Sequence, residues 1–127
     1  MEKLMRLEEN IKILQAIANE LPSHPINKRI EWEIRYGFFE SIQIVIDIAC
    51  KIAAKYNLGY PKSYKECIQS LIKAKIIDES TGEDFIKMVG FRNVLIHDYE
   101  EIDKAALISY LDRLDDCKKF IEAVKEL

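Results

Sequence analysis

The sequence predicts an all-α protein, an up-and-down bundle of four to five helices. Apolar residues recur at three- and four-residue steps through most of the chain, which places them on one face of each helix. The three prolines fall between the periodic segments, where they end helices without breaking them. With 49% apolar and 32% charged residues, the composition is that of a folded protein rather than a disordered or fibrous one. We expect one domain over residues 1–127, since this length supports one core and is short for two.

The first helix is predicted over residues 2–20, and residues 21–25 end it because two prolines cannot continue a helix. Asn27 then has the residue type of an N-cap for a long second helix that runs to about Asn57. Steps of four and three separate the apolar residues of this second helix, as in packed helix pairs. Those residues are Ile34, Phe38, Ile42, Val45, Ala49, Ile52 and Tyr56.

One segment of the second helix has a spacing that is also typical of a β-strand, since four isoleucines between residues 42 and 48 alternate with other residues. A helix is the better interpretation, because the longer apolar series continues through the segment and neither glycine nor proline appears between residues 38 and 58. The alternation then indicates that apolar side chains cover more than one face. Such a helix is expected at the centre of its bundle or in contact with a partner chain.

Capping boxes, in which a serine oxygen and a glutamate three residues later bond free amides, predict the next two helices. The first box, Ser63 to Glu66, opens a short third helix that runs to about Lys73. The second box, Ser80 to Glu83, opens a fourth helix, which contains Phe85, Met88, Val89 and Phe91.

The last helix is predicted to begin after Asp103, whose side chain suits an N-cap, and to continue to the C-terminus. Apolar residues keep heptad spacing along it without interruption. They are Leu107, Tyr110, Leu114, Cys117, Ile121 and Val124.

The charge balance and the cysteines argue against several classes of protein. The net charge of −3 disfavours a protein that coats nucleic acid through a cationic surplus, but it is compatible with a local basic site for RNA. Cys50, Cys67 and Cys117 lack the spacings of a zinc site or a disulfide framework, so we expect reduced, buried thiols in a cytoplasmic protein without metal or cofactor. The sequence shows neither a signal peptide nor an apolar run long enough to span a membrane.

Residues 92–99, Arg-Asn-Val-Leu-Ile-His-Asp-Tyr, contain three side chains suited to phosphate chemistry. Arg92 is a permanent cation with a planar fork of donors for phosphate oxygens. His97 belongs to the residue type whose unperturbed pKa of about 6.5 allows proton transfer near neutral pH. Tyr99 adds a hydroxyl two residues later.

Helical geometry complicates this motif, because five residues of continuous helix rotate by about 140° and would separate the side chains of Arg92 and His97. The acidic residues after His97 indicate that the fourth helix ends near it, which would free the histidine to turn toward Arg92 or toward another chain. The alternative is structural. A histidine at a helix end can interact with the helix dipole, and Arg92 can form a surface ion pair.

The motif Arg92-x-x-x-x-His97-x-Tyr99 resembles the signature of the HepT-like toxins, which are helical ribonucleases of the HEPN superfamily. The flanking residues 88–91 and 102–103 fit the same pattern, and the likeness covers roughly residues 27–125. Three further segments resemble that family, namely Ile46–Ala49, Pro61–Tyr64 and Leu71–Ile77.

This resemblance implies a homodimer whose active cleft lies between the chains, and metal-independent endoribonuclease activity on RNA. It also implies neutralisation by a minimal nucleotidyltransferase antitoxin (MntA-like), which in some members transfers AMP onto the tyrosine of the motif. By position, Arg92 and His97 would be the catalytic pair, Asn93 a supporting residue and Tyr99 the candidate AMP-modification site. A structural role for Tyr99, in supporting the turn, stays open as the alternative.

Two other functions stay open on the sequence alone. One is a catalytically inactive helical binding module that docks a nucleotidyltransferase partner or a nucleotide, which the negative net charge and the lack of an obvious basic stripe favour. The other is a purely structural dimerising bundle in which the motif caps a helix. The intact pair of Arg92 and His97 favours the ribonuclease over both.

Overall fold

The computed structural model describes residues 2–23, 25–96 and 104–127, apart from the side chains of Asn93 and Ile96. Within these ranges the chain is helical and contains no strand, which confirms the predicted all-α fold. None of the described helices has the length and apolar character that a bilayer crossing needs. The helices are α1 (Glu2–Glu20), α2 (Lys28–Lys55), α3 (Tyr64–Lys73), α4 (Glu79–Ile96), α5 (Lys104–Leu111) and α6 (Leu114–Val124).

Helix α2 occupies the centre of the bundle, with α1, α3, α4 and α5 packed against it. It begins at a cap, since Oδ1 of Asn27 accepts a hydrogen bond from the amide of Ile30 at 2.8 Å. The four isoleucines between residues 42 and 48 are all buried, so the helix is confirmed over the strand. Neighbours on several sides explain why α2 is apolar on several faces. The apolar series stops at Ile52, because Tyr56 lies past the helix end and is 44% exposed.

A carboxylate on α2 fastens α1 to this central helix. The guanidinium of Arg6 donates two hydrogen bonds to Glu40, from Nε to Oε1 at 2.7 Å and from Nη2 to Oε2 at 3.1 Å. Asn10 and Tyr36 donate to the same carboxylate at 3.0 and 3.1 Å. Bonds to the charged form, first from Arg6 and then from Asn10, lower the pKa of Glu40 to about 2. The contact between α1 and α2 therefore includes directional hydrogen bonds to a charged group as well as apolar packing.

The start of α3 confirms the first predicted capping box. Oγ of Ser63 accepts a hydrogen bond from the amide of Glu66 at 3.1 Å. In return, Oε2 of Glu66 accepts from the amide of Lys62 at 3.2 Å and from the Ser63 hydroxyl at 3.2 Å. The box thus satisfies free amides on both sides of the helix start, and α3 ends at Lys73 as predicted.

The second predicted box was wrong, because α4 begins one residue before Ser80. Its cap is Asp78, whose Oδ1 accepts from the amide of Thr81 at 2.7 Å and whose carbonyl accepts from the amide of Gly82 at 3.0 Å. The bonds from Thr81 lower the pKa of Asp78. A charged carboxylate also interacts favourably with the positive end of the helix dipole, which a serine hydroxyl does not do to the same extent.

The predicted last helix is divided into α5 and α6 by residues 112–113. The amides of these two residues bond the carbonyls three positions earlier, at 3.2 and 2.9 Å, which is a tighter turn than an α-helix makes. Apolar residues on both sides of the turn are buried, so the heptad spacing continues through it and did not predict a break in the helix. If α5 and α6 are counted as one bent helix, the described residues form five helices, within the predicted four to five. The predicted cap, Asp103, lies outside the described residues.

Two of the three cysteines depart from the prediction of reduced thiols. Cys50 on α2 and Cys67 on α3 form a disulfide, with Cα atoms 5.0 Å apart. The bond was missed because the packing of α3 on α2 brings together two positions 17 residues apart, which their spacing in the sequence does not show. Cys117 is a free, buried thiol as predicted, and burial raises its pKa to about 12.

An acidic pair lies where α6 meets α4. Asp116 is 8% exposed and is hydrogen-bonded to Asp84, which also accepts from Nη1 of Arg113 at 3.2 Å. Burial first, and then the hydrogen bond and charge of Asp84, raise the pKa of Asp116 from 3.8 to about 6. A carboxyl whose folded-state pKa is raised stabilises the fold below its unfolded pKa and loses that contribution as the pH rises through the folded value.

We therefore expect Asp116→Asn to stabilise the protein at pH 8 by on the order of 1 kcal/mol. The asparagine amide can donate to Asp84 as the protonated Asp116 carboxyl does, and it cannot become charged. The difference in free energy of unfolding should shrink toward pH 4. Urea unfolding of both proteins at pH 4.5 and pH 8 measures it, with the exposed neighbour Asp115→Asn as control. An equal effect at both pH values would contradict this account.

Candidate functional site

Arg92 lies in α4 at the point where three helices meet. Its Nη1 donates a hydrogen bond to Oε1 of Gln43 on α2 at 2.8 Å. Its guanidinium carbon is 5.0 Å from the centroid of the Tyr64 ring on α3, within cation–π distance. Arg92 is half-buried, and Tyr64 is 46% exposed. The arginine is thus held from two sides at the edge of the core.

The side chain of Gln43 is itself oriented by Asp47, one turn further along α2. Nε2 of Gln43 donates to Oδ1 of Asp47 at 3.0 Å, and Oδ2 of Asp47 accepts from Nζ of Lys3 on α1 at 3.2 Å. A carboxylate only accepts and a guanidinium only donates, so the amide of Gln43 can satisfy both neighbours in one orientation alone. A continuous series of side chains therefore runs from α1 through α2 to Arg92.

The charge of Arg92 is held without being neutralised by the described part of the chain. Its partners there are a neutral amide oxygen and an aromatic ring, and its Nε is buried without a hydrogen-bond partner. The structural alternative expected a surface ion pair, but no carboxylate among the described residues is paired with this arginine. With respect to the described residues, donors of the guanidinium therefore stay available for an anion.

The structure describes only part of the predicted motif. Asn93 follows Arg92 within α4, and the described helix runs to Ile96, so Arg92 lies inside a helix as predicted. His97 and Tyr99 lie outside the described residues, so the structure gives no distance from either of them to Arg92. Their roles remain predictions.

Sequence reasoning missed two residues of this site, Gln43 and Tyr64. Gln43 and Asp47 are polar residues four apart in a segment otherwise rich in isoleucine, and that contrast was the available signal. Tyr64 lies in the Pro61–Tyr64 segment that resembles the family, but nothing local shows that its ring meets Arg92.

A cavity of about 560 Å³ adjoins the Arg92 site through Tyr64, between the end of α2 and the start of α3. Its lining includes Lys62 and two tyrosines, Tyr60 and Tyr64, of which Tyr60 is 95% exposed. Aromatic faces beside cationic groups are typical of surfaces that bind single-stranded RNA. No cluster of side chains suited to holding a metal ion occurs among residues 2–23, 25–96 and 104–127.

The architecture is that of the HEPN toxins. The chain superposes on the HEPN toxin of Shewanella oneidensis, solved tri-AMPylated and in complex with an MNT antitoxin, with a TM-score of 0.88 at 24% identity over 99% of this chain and 96% of the other. A toxin–antitoxin variant, MntA–HpeT, superposes with a TM-score of 0.85 at 22% identity, over 99% and 97% of the two chains. These likenesses confirm the predicted fold.

Residues 7–124 match the family model of Ribonuclease HepT-like proteins, and the chain belongs to that family. One relative is the mRNA nuclease HepT of Shewanella oneidensis, which is 24% identical over 124 residues, spanning 97% of this chain and 93% of the relative. The family predicted from the residues around Arg92 is thereby confirmed.

Proposed function

We propose that this protein is the toxin of a toxin–antitoxin pair and cleaves RNA as a metal-independent endoribonuclease, with Arg92 and His97 as its catalytic pair. The observation that carries the proposal is the state of Arg92, a half-buried cation whose described partners leave its charge intact. It occupies the arginine position of the motif in a chain of the Ribonuclease HepT-like family. The mRNA nuclease HepT supports RNA as the substrate class.

The chemistry uses the nucleophile that RNA itself carries. His97 acts as general base and takes the proton of a 2′-hydroxyl, whose oxygen then attacks the adjacent phosphorus. A general acid gives a proton to the departing 5′-oxygen, and the bond from phosphorus to that oxygen breaks. Arg92 stabilises the charge on the non-bridging oxygens. The products are a 2′,3′-cyclic phosphate and a 5′-hydroxyl end.

A homodimer supplies the second proton-transfer group. Each chain carries one motif histidine, whereas this reaction needs both a base and an acid. A two-fold axis beside the motif would bring two copies of His97 and two of Arg92 to one cleft. Asn93, adjacent to the arginine, is assigned a supporting polar role there.

The antitoxin is proposed to be a minimal nucleotidyltransferase. The HEPN toxin of Shewanella oneidensis was solved tri-AMPylated and in complex with an MNT antitoxin. A variant of MntA–HpeT was also solved as a toxin–antitoxin complex. On this chain the phenol oxygen of Tyr99 would attack the α-phosphorus of ATP, releasing pyrophosphate and the phenol proton. The AMP group would place an anion near Arg92 and block an RNA phosphate.

The nuclease assignment predicts that His97→Ala lowers RNA cleavage by about 10²- to 10⁴-fold and Arg92→Ala by about 10²- to 10³-fold. Cleavage of a defined RNA by purified protein measures this, with end analysis of the products and a chelator arm. Matched controls are His24→Ala, the other histidine, and Arg29→Ala, an exposed arginine on α2. Both controls should keep wild-type activity.

Equal cleavage by the wild type and His97→Ala would mean a contaminating nuclease and would leave the binding module as the better function. Products with 3′-hydroxyl ends, or activity abolished by the chelator, would contradict the metal-free mechanism.

The antitoxin assignment predicts that co-expression with the cognate nucleotidyltransferase adds AMP to the toxin at Tyr99. Intact-mass measurement followed by peptide mapping locates the adduct, and Tyr99→Phe, which lacks the accepting oxygen, should receive none there. Toxicity neutralised without any adduct on Tyr99 would argue for the structural role of this residue.

A further inference from the structure

We propose that Gln43 is the positioning residue of Arg92, directing the guanidinium through a neutral acceptor that leaves its charge free for a phosphate. This inference rests on the proposed ribonuclease function and assigns a role to a residue outside the motif. The Nη1–Oε1 distance of 2.8 Å is that of a direct hydrogen bond.

The chemistry of the acceptor is the central point. A carboxylate at this position would bind Arg92 more strongly, but it would form an ion pair and compete with the RNA phosphate for the same guanidinium. An apolar side chain would leave the charge intact but would not fix its direction. An amide oxygen fixes the direction of the guanidinium and leaves its charge unneutralised. Of the three classes of side chain, only the amide has both effects.

Neighbouring side chains hold the amide of Gln43 in the orientation that this role requires. Asp47 accepts from Nε2 and thereby turns Oε1 toward Arg92, and Lys3 holds Asp47 in turn. Tyr64 supports the guanidinium from α3 with its ring rather than with its hydroxyl. Because α2 is enclosed by other helices, the acceptor sits on a rigid element.

The test compares Gln43→Leu and Gln43→Glu with two readouts. The first is kcat and KM for RNA cleavage. The second is binding of a non-cleavable RNA with a 2′-deoxy nucleotide at the scissile position, measured over a series of salt concentrations. Gln15→Glu is the matched control, because it adds the same charge at a half-buried position of α1 whose side chain bonds Asn19 and Lys118 rather than Arg92. Thermal unfolding of each variant confirms that it is folded.

The two variants should fail in different ways. Gln43→Leu should lower kcat about 10- to 100-fold with little change in KM or in the salt dependence, because the cation is present but misdirected. Gln43→Glu should also weaken RNA binding and lower the slope of log affinity against log salt by about 1 for each chain that contacts a phosphate, as Arg92→Ala does. If Gln43 had a purely structural role, Gln43→Leu and Gln43→Glu would show the same slope of log affinity against log salt.

A further substitution tests the ring of Tyr64. Tyr64→Ala removes the ring face that contacts Arg92 and should therefore lower kcat.

The outcomes distinguish this inference from the function on which it rests. If the wild type cleaves, Arg92→Ala does not, and both Gln43 variants match the wild type in kcat and salt slope, the positioning role is overturned while the nuclease stands. If the wild type shows no cleavage beyond Arg92→Ala and His97→Ala, the proposed function fails and the inference fails with it.

Discussion

Helix α2 is enclosed by α1, α3, α4 and α5, and this enclosure decides which of its positions can carry polar side chains. An enclosed helix must be apolar on several faces, and burying a polar side chain on it costs free energy unless that side chain has a hydrogen-bond partner. Glu40, Gln43 and Asp47 form a polar stripe at three- and four-residue steps along α2, and each of them is bonded. Glu40 fastens α1, Gln43 holds Arg92 of α4, and Asp47 joins Gln43 to Lys3. The same stripe therefore joins α1 and α4 to α2 and positions Arg92 in the candidate site.

The proposed function rests on the way in which this stripe contacts Arg92. Elsewhere in the bundle arginines are paired with carboxylates, as Arg6 is with Glu40 and Arg113 with Asp84. At Arg92 the partner on α2 is an amide, so the cation is directed without being neutralised by the described residues. In a Ribonuclease HepT-like chain this is the property that a phosphate-binding arginine needs. The proposed role of Gln43 and the proposed nuclease activity are thus two consequences of one contact.

Local signals in the sequence predicted much of this fold. Periodicity gave the long helices, and the residue types of Asn27 and Ser63 gave two caps correctly. Asp78 was missed because Ser80, two residues later, also suits a cap. The turn at residues 112–113 was missed because the apolar spacing continues through it. In both cases a local pattern in the sequence indicated a structure that the chain does not adopt.

Tertiary contacts account for the remaining errors. The Cys50–Cys67 disulfide and the Gln43–Arg92 hydrogen bond join positions 17 and 49 residues apart, and only helix packing brings them together. For the site, Arg92 was found from its motif, whereas its partners on α2 and α3 came from the structure. A motif marks the reactive residue types, but the residues that orient them are distant in sequence.

The proposed active site is a cleft shared by two chains, in which both copies of His97 take part. Mixed dimers test it most directly: differently tagged wild-type and His97→Ala chains are co-expressed, and the heterodimer is isolated by tandem affinity purification. Because the reaction needs a base and an acid, we expect the RNA-cleavage activity of this heterodimer to be about 10²-fold or more below that of the wild-type dimer. A heterodimer of wild-type and His24→Ala chains should keep full activity. Half of the wild-type activity in the His97→Ala heterodimer, as expected for two independent sites, would contradict the account.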